Sequence, residues 1–144
     1  MIRAGEVLQI AAPFVWLGMV LAISALETPL KFRAPGITRP LGLGIGRLVF
    51  RALNAAELVL SAMLTVALIG TPGAFVTLCV TALWIILLLQ VVGLRPALDR
   101  RAKLIMKGET VPRSSLHHLY VGLETVKVVL LATVGTSLTL RLVA

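Results

Sequence analysis

Four long apolar runs limit what this chain can fold into: residues 7–26, 52–69, 74–92 and 119–140. Each run is long enough, or nearly so, to cross a hydrocarbon core of about 30 Å, which takes roughly 20 helical residues. A backbone amide inside a bilayer has no water to bond, so each run must satisfy its own hydrogen bonds as a helix. The sequence therefore predicts an all-α, integral membrane four-helix bundle, with residues 1–144 forming a single domain.

The composition agrees with a membrane protein, because 58% of the residues are hydrophobic and only 14% are charged. Arg3 precedes the first apolar run, as it would in a signal peptide. That run is long, however, and only a weak small-residue cleavage pattern follows it, so we interpret it as a span. The single cysteine, Cys79, excludes an internal disulfide and a CxxC redox or metal pair.

The basic residues are unevenly distributed, which indicates the orientation of the spans. Of the 14 lysines and arginines, five lie in residues 27–51 and six in residues 93–118, whereas the connection at residues 70–73 has none. The first and third connections of four spans share a side, and the positive-inside rule makes that side cytoplasmic. We expect a multi-pass protein of the cell (inner) membrane with both termini outside. Its basicity then reflects topology and the lipid bilayer rather than nucleic-acid binding.

Both basic connections carry helix signals of their own. Thr38 followed by Pro40 is typical of a helix start, and apolar residues recur at helical spacing after it. The stretch "LRPALDRRAKLIMKG" can continue the third span to Gly108, with a kink at Pro96. The sequence therefore predicts that helices 2 and 3 extend beyond the bilayer on the cytoplasmic side.

Polar residues form stripes along the apolar runs. In the fourth run, a helix places four of them inside one arc of about 80°: His117, Tyr120, Glu124 and Lys127. The second run has a matching stripe of Asn54, Glu57, Ser61 and Thr65. The first and third runs contribute Trp16, Ser24, Glu27, Thr81, Trp84 and Gln90.

Three ionisable residues of these stripes lie deep in the predicted bilayer. At about 1.5 Å per residue, Glu57 and Glu124 are roughly 9 Å inward from the cytoplasmic ends of their spans, and Lys127 is near the midplane. An unpaired charge there costs at least about 3 kcal/mol, so all three should face the bundle interior and find partners. Two acids and one lysine leave an excess negative charge, which a proton, a histidine, a metal ion or a cationic ligand could balance.

Two interpretations of the stripes stay open. The charged residues could form ion pairs that only hold the helices in register, or they could line a polar pocket open to the cytoplasm. The candidate pocket residues are Glu27, Glu57, Ser61, His117, Tyr120, Glu124 and Lys127. His117, Glu124 and Glu57 could also supply a mixed nitrogen and oxygen site for one metal ion. The chain has no Glu-x-x-His motif, and no cofactor is clearly implied.

These features favour a non-enzymatic membrane protein that binds or moves a proton, a cation or a small solute. A complete pathway through four short spans would need a homo-oligomer or a larger membrane complex. One alternative is a non-catalytic accessory subunit of such a complex. A second alternative is a membrane redox enzyme that binds haem, quinone or a metal.

Several segments together resemble a known family. They are "ETPLKFRAPG" at the end of the first span, "GRLVFRALNAAE" at the start of the second, and "LRPALDRRA" followed by "LHHLYVGLETVKVVLL". The chain is similar in these segments to small four-span integral membrane proteins that are classed as a domain of unknown function and have eukaryotic relatives. The resemblance implies a four-helix membrane protein and brings no activity or catalytic residue to this chain.

Overall fold

The computed structural model describes residues 3–70 and 73–144, and most of these residues lie in four long helices. The helices are α1 (Ala4–Lys31), α2 (Arg39–Ala67), α3 (Ala74–Met106) and α4 (Leu116–Val143). Each of them is long and apolar enough to cross a membrane. The described residues contain no strand. The predicted all-α membrane bundle is confirmed, whereas residues 71 and 72 of the second connection lie outside the described residues.

Helices α2 and α3 extend well beyond their apolar runs, as predicted. At the start of α2, the Thr38 side chain accepts a hydrogen bond from the backbone N–H of Leu41 at 3.3 Å, and Pro40 lies in the first turn. Helix α3 continues to Met106, and Gly108 follows it with a φ of 83°. Glycine adopts this left-handed conformation readily because it has no Cβ.

The two basic connections meet at one end of the bundle, which we call the basic end (residues 27–51 and 93–118). There Arg47 of α2 lies 3.7 Å from Asp99 of α3. At the opposite end, the Gln9 side chain donates a hydrogen bond to the backbone carbonyl of Ala67 at 2.7 Å. The first and third connections therefore share one end of the bundle, and the two termini share the other.

Helices α1 and α3 each contain a π-helical segment, Leu21–Glu27 in α1 and Leu89–Leu94 in α3. Each segment ends two residues before a proline, Pro29 or Pro96. A proline ring in a regular α-helix clashes with the carbonyl four residues earlier, and the wider π turn relieves that clash. At Pro96, where the sequence predicts a kink, the local change is thus a π-helical segment inside a continuous helix.

Apolar side chains fill the half of the bundle away from the basic end. The fully buried ones include Trp16, Val20, Leu64, Leu83, Leu87, Leu131 and Val134. Large apolar side chains also cover the outside of the helices, for example Leu48, Val66, Leu78 and Val129. An apolar exterior of this extent is costly in water and favourable in lipid. The protein is therefore an integral membrane protein.

Because the first and third connections lie at one end of the bundle and the termini at the other, residues 109 and 144 should be labelled from opposite sides of the membrane. The test uses Glu109→Cys and Ala144→Cys, each made in a Cys79→Ala background. A membrane-impermeant maleimide should modify residue 109 from the side that the basic connections occupy, which the positive-inside rule predicts to be cytoplasmic. It should modify residue 144 only from the opposite side. Modification of both residues from the same side of intact cells would contradict this arrangement.

Candidate functional site

Lys127 lies at the centre of the bundle with its ammonium group in contact with three other side chains. Its Nζ is 2.5 Å from Glu57 Oε1, 2.7 Å from Gln90 Oε1 and 2.8 Å from Glu124 Oε1. The contacts with Glu57 and Gln90 are hydrogen bonds, and the contact with Glu124 is an ion pair. The Lys127 and Glu57 side chains are fully buried, so these contacts form away from water.

Further hydrogen bonds bring α1 into the same cluster. The Trp16 indole N–H donates to Glu57 Oε1 at 2.8 Å. The Ser24 hydroxyl donates to Glu124 Oε2 at 3.0 Å, and the Gln90 amide donates to Glu124 Oε1 at 2.8 Å. All four helices therefore contribute to one buried polar network: Trp16, Ser24, Glu57, Gln90, Glu124 and Lys127.

The buried polar network contains two carboxyl groups and one ammonium group. Glu57 Oε2 is buried and has no hydrogen-bond partner within the described structure, although Oε1 of the same group accepts two hydrogen bonds. The acids nearer the basic end are already paired, Glu27 with Lys31 at 3.2 Å and Asp99 with Arg95 at 3.4 Å. Because burial makes an uncompensated charge costly, one proton or one cationic group would bring the network to neutrality.

A cavity of about 380 Å³ lies between α1 and α4 and extends to Glu124. We call it the α1/α4 cavity. Its apolar lining includes Val20, Leu21, Leu98, Val121 and Val128. Its polar lining consists of Ser24, Thr28, Arg95, His117, Tyr120, Glu124 and Thr125. The Tyr120 hydroxyl is buried and has no hydrogen-bond partner in the described structure, so it is available to a bound molecule.

Two aromatic rings shape the basic end of the α1/α4 cavity. The rings of Phe50 and Tyr120 meet edge to face, with 5.8 Å between their centroids. The Arg95 guanidinium lies over the Phe50 ring, 4.8 Å from its centroid. Stacking and the Asp99 pair together hold Arg95 at the rim.

The structure brings together most of the predicted pocket residues, but in two layers. Glu57, Glu124 and Lys127 form the centre of the buried polar network. His117 and Tyr120 lie with Glu124 around the α1/α4 cavity. Of the predicted pocket residues, only Glu124 belongs to both layers, because Glu57 and Lys127 do not line this cavity.

Two predicted pocket residues lie apart from these layers. The Ser61 hydroxyl is buried and donates to the backbone carbonyl of Leu58 in its own helix at 2.9 Å. Glu27 pairs with Lys31 one turn further along α1. Neither contributes a contact to the buried polar network.

The described residues contain no group of three or more His, Cys, Asp or Glu side chains that could hold a metal ion. The structure therefore does not assemble His117, Glu124 and Glu57 into the metal site considered from the sequence. The ring centroids of His117 and His118 are 6.1 Å apart, and both residues are exposed. Of the two, only His117 lines the α1/α4 cavity.

Sequence reasoning placed Trp16, Ser24 and Gln90 in polar stripes without recognising them as partners of the charged residues. Ser24 and Gln90 lie in the two π-helical segments, and both contact Glu124. π-helical turns occur often at functional sites because they displace side chains from regular α-helical register. The sequence signal that could have identified Ser24 and Gln90 is a polar residue a few positions before a proline in an apolar run.

Comparisons of the chain with protein-family models, with curated proteins and with solved structures find no match. The resemblance to a four-span family of unknown function stays a prediction. The functional conclusion depends on the geometry of the buried polar network and the α1/α4 cavity.

The charge balance of the network predicts unequal effects of removing its members. Lys127→Met leaves two carboxyl groups without a counter-ion and should lower the free energy of unfolding by about 3–5 kcal/mol. Glu57→Gln or Glu124→Gln leaves Lys127 paired with one glutamate and retains an acceptor oxygen. The free energy of unfolding should therefore fall by no more than about 2 kcal/mol. Unfolding in mixed detergent micelles, followed by circular dichroism, measures the difference.

The double variant Lys127→Met, Glu57→Gln is the control for this prediction, because it removes one charge of each sign. It should be more stable than Lys127→Met alone. Equal stability of Lys127→Met and Glu124→Gln would show that charge balance does not govern the network.

Proposed function

We propose that this integral membrane protein binds a small amphipathic cation in the α1/α4 cavity, with Glu124 as the counter-ion. One observation carries the proposal. Glu124 lines a mainly apolar cavity and also belongs to a buried network that has one more carboxyl group than ammonium groups. A cationic ligand would supply the missing positive charge, as a proton does when the ligand is absent.

The cavity lining suits a molecule with an apolar body and a polar end. Val20, Leu21 and Val128 offer apolar surface, and burial of hydrocarbon against it favours binding. Glu124 Oε2 accepts one hydrogen bond, from Ser24, and a carboxylate oxygen can accept a second. The Tyr120 hydroxyl supplies one more polar contact beside it.

Arg95 also lines the cavity, but its charge is already engaged. Its guanidinium pairs with Asp99 at 3.4 Å, donates to the backbone carbonyl of Gly46 at 3.4 Å and stacks on Phe50. Glu124 shares its ammonium partner with Glu57, so the interior side of the cavity favours a cationic ligand over an anionic one.

The position of the cavity supports entry from the basic end, which faces the cytoplasm under the positive-inside rule. Beyond Lys127, the bundle interior toward the termini is the apolar core around Leu64, Leu83 and Leu131. The buried charged residues of the described structure are Glu57, Glu124 and Lys127. A single chain with this interior is suited to binding, and movement of the solute across the membrane would need further subunits.

Three probes of the same shape and different charge test the proposal: 4-phenylbutylamine, 4-phenylbutanol and 4-phenylbutyrate. The purified protein should bind the amine at least roughly tenfold more tightly than the alcohol, because a hydrogen bond to a charged group is worth about 1.5–3 kcal/mol. The anion should bind more weakly than either. Isothermal titration calorimetry in one detergent measures all three affinities.

Glu124→Gln and Glu27→Gln form a matched pair of variants for this experiment. Glu124→Gln should remove the preference for the amine and leave the affinity for the alcohol nearly unchanged. Glu27→Gln should behave like the original protein, because Glu27 lies outside the cavity lining. Equal binding of amine and alcohol by the original protein, or a preference that survives Glu124→Gln, would refute the proposal.

A further inference from the structure

A second groove, of about 590 Å³, lies between α2 and α3 at the basic end. We call it the α2/α3 groove. Four cationic side chains line it, Arg51, Arg95, Arg100 and Lys103, together with one acid, Asp99. Its charge is therefore opposite to that of the buried polar network.

The one acid of the groove does not neutralise these cations. Asp99 Oδ1 lies 3.4 Å from Arg95 and 3.7 Å from Arg47, so two arginines already share it. Arg51, Arg100 and Lys103 make no ion pair with any residue in the described part of the chain. The groove thus presents three unpaired positive charges, which attract an anion.

The other side of the groove is apolar. Ala55, Leu58 and Val91 line it toward the bilayer interior. Leu58 lies about 10 Å further along α2 than Arg51 at 1.5 Å per residue. The groove therefore changes from cationic to apolar along its length. A lipid at the membrane interface changes in the same way from its headgroup to its acyl chain.

Asn54 adds a polar group to the middle of the groove. It is 6% exposed, it lines the groove, and its Oδ1 has no hydrogen-bond partner in the described structure. Asn54 lies three residues inward of Arg51, which places its amide between the cations and the apolar side of the groove. A lipid has its glycerol backbone at this depth, and an amide N–H can donate to an ester oxygen there.

We propose that the α2/α3 groove binds an anionic phospholipid. Its phosphate contacts Arg51, Arg100 and Lys103, and the Asn54 side chain lies at the level of the glycerol backbone. One acyl chain lies along Leu58 and Val91. Arg95 lines both this groove and the α1/α4 cavity, but Arg51, Arg100 and Lys103 line only the groove, so the lipid site does not depend on the function proposed for that cavity.

Native mass spectrometry of protein released from mixed phosphatidylglycerol and phosphatidylcholine nanodiscs tests the lipid site. Arg100→Gln with Lys103→Gln should lower the retained phosphatidylglycerol roughly tenfold or more, since each cation near the membrane surface contributes to anionic lipid binding. Both residues are exposed, so the fold should be retained. Lys107→Gln with Arg113→Gln is the control, because it removes the same charge from the same end outside the groove. Equal losses in the two double variants would show a general surface attraction and overturn the proposal.

One further measurement tests the acyl chain. Glycerol 3-phosphate at the same concentration should fail to displace the lipid, and displacement would show a headgroup site without a lipid chain.

Discussion

The interior of this bundle depends on the contacts of Lys127, which are hydrogen bonds to Glu57 and Gln90 and an ion pair with Glu124. They join α2, α3 and α4, and the Trp16 and Ser24 bonds add α1. Apolar packing does not distinguish strongly between one helix arrangement and another in lipid, because the acyl chains are as apolar as leucine. A buried network that joins side chains from all four helices therefore gives the fold much of its specificity.

The network also explains why the two grooves differ in charge. Its extra carboxyl group makes the interior side of the α1/α4 cavity acidic at Glu124. The basic connections supply unpaired cations to the α2/α3 groove instead, because their one nearby acid, Asp99, is shared by two arginines. The α1/α4 cavity and the α2/α3 groove share Arg95, but the acid proposed for the solute and the unpaired cations proposed for the lipid are different residues.

The sequence predicted the architecture well, because apolar runs of bilayer length leave few alternatives to a helical bundle. Helical periodicity also placed Glu57, Glu124 and Lys127 toward a common interior. It could not show that Gln90 and Ser24 reach Glu124, because π-helical segments shift both residues from α-helical register. Helical periodicity also could not show that Glu57 lies outside the cavity that Glu124 lines. The position of a residue on one helix face carries no information about where cavities form between helices. In the described structure, His117, Glu124 and Glu57 do not form a group that could hold a metal ion.

Infrared difference spectroscopy on addition of 4-phenylbutylamine tests the central claim most directly, because it reports the protonation of carboxyl groups. If one proton balances the network until a cation replaces it, the amine should remove the absorption of a protonated carboxyl group. The alcohol should not, and Glu124→Gln should abolish the change. A carboxyl spectrum that is identical with and without saturating amine would contradict the account of Glu124 as the counter-ion.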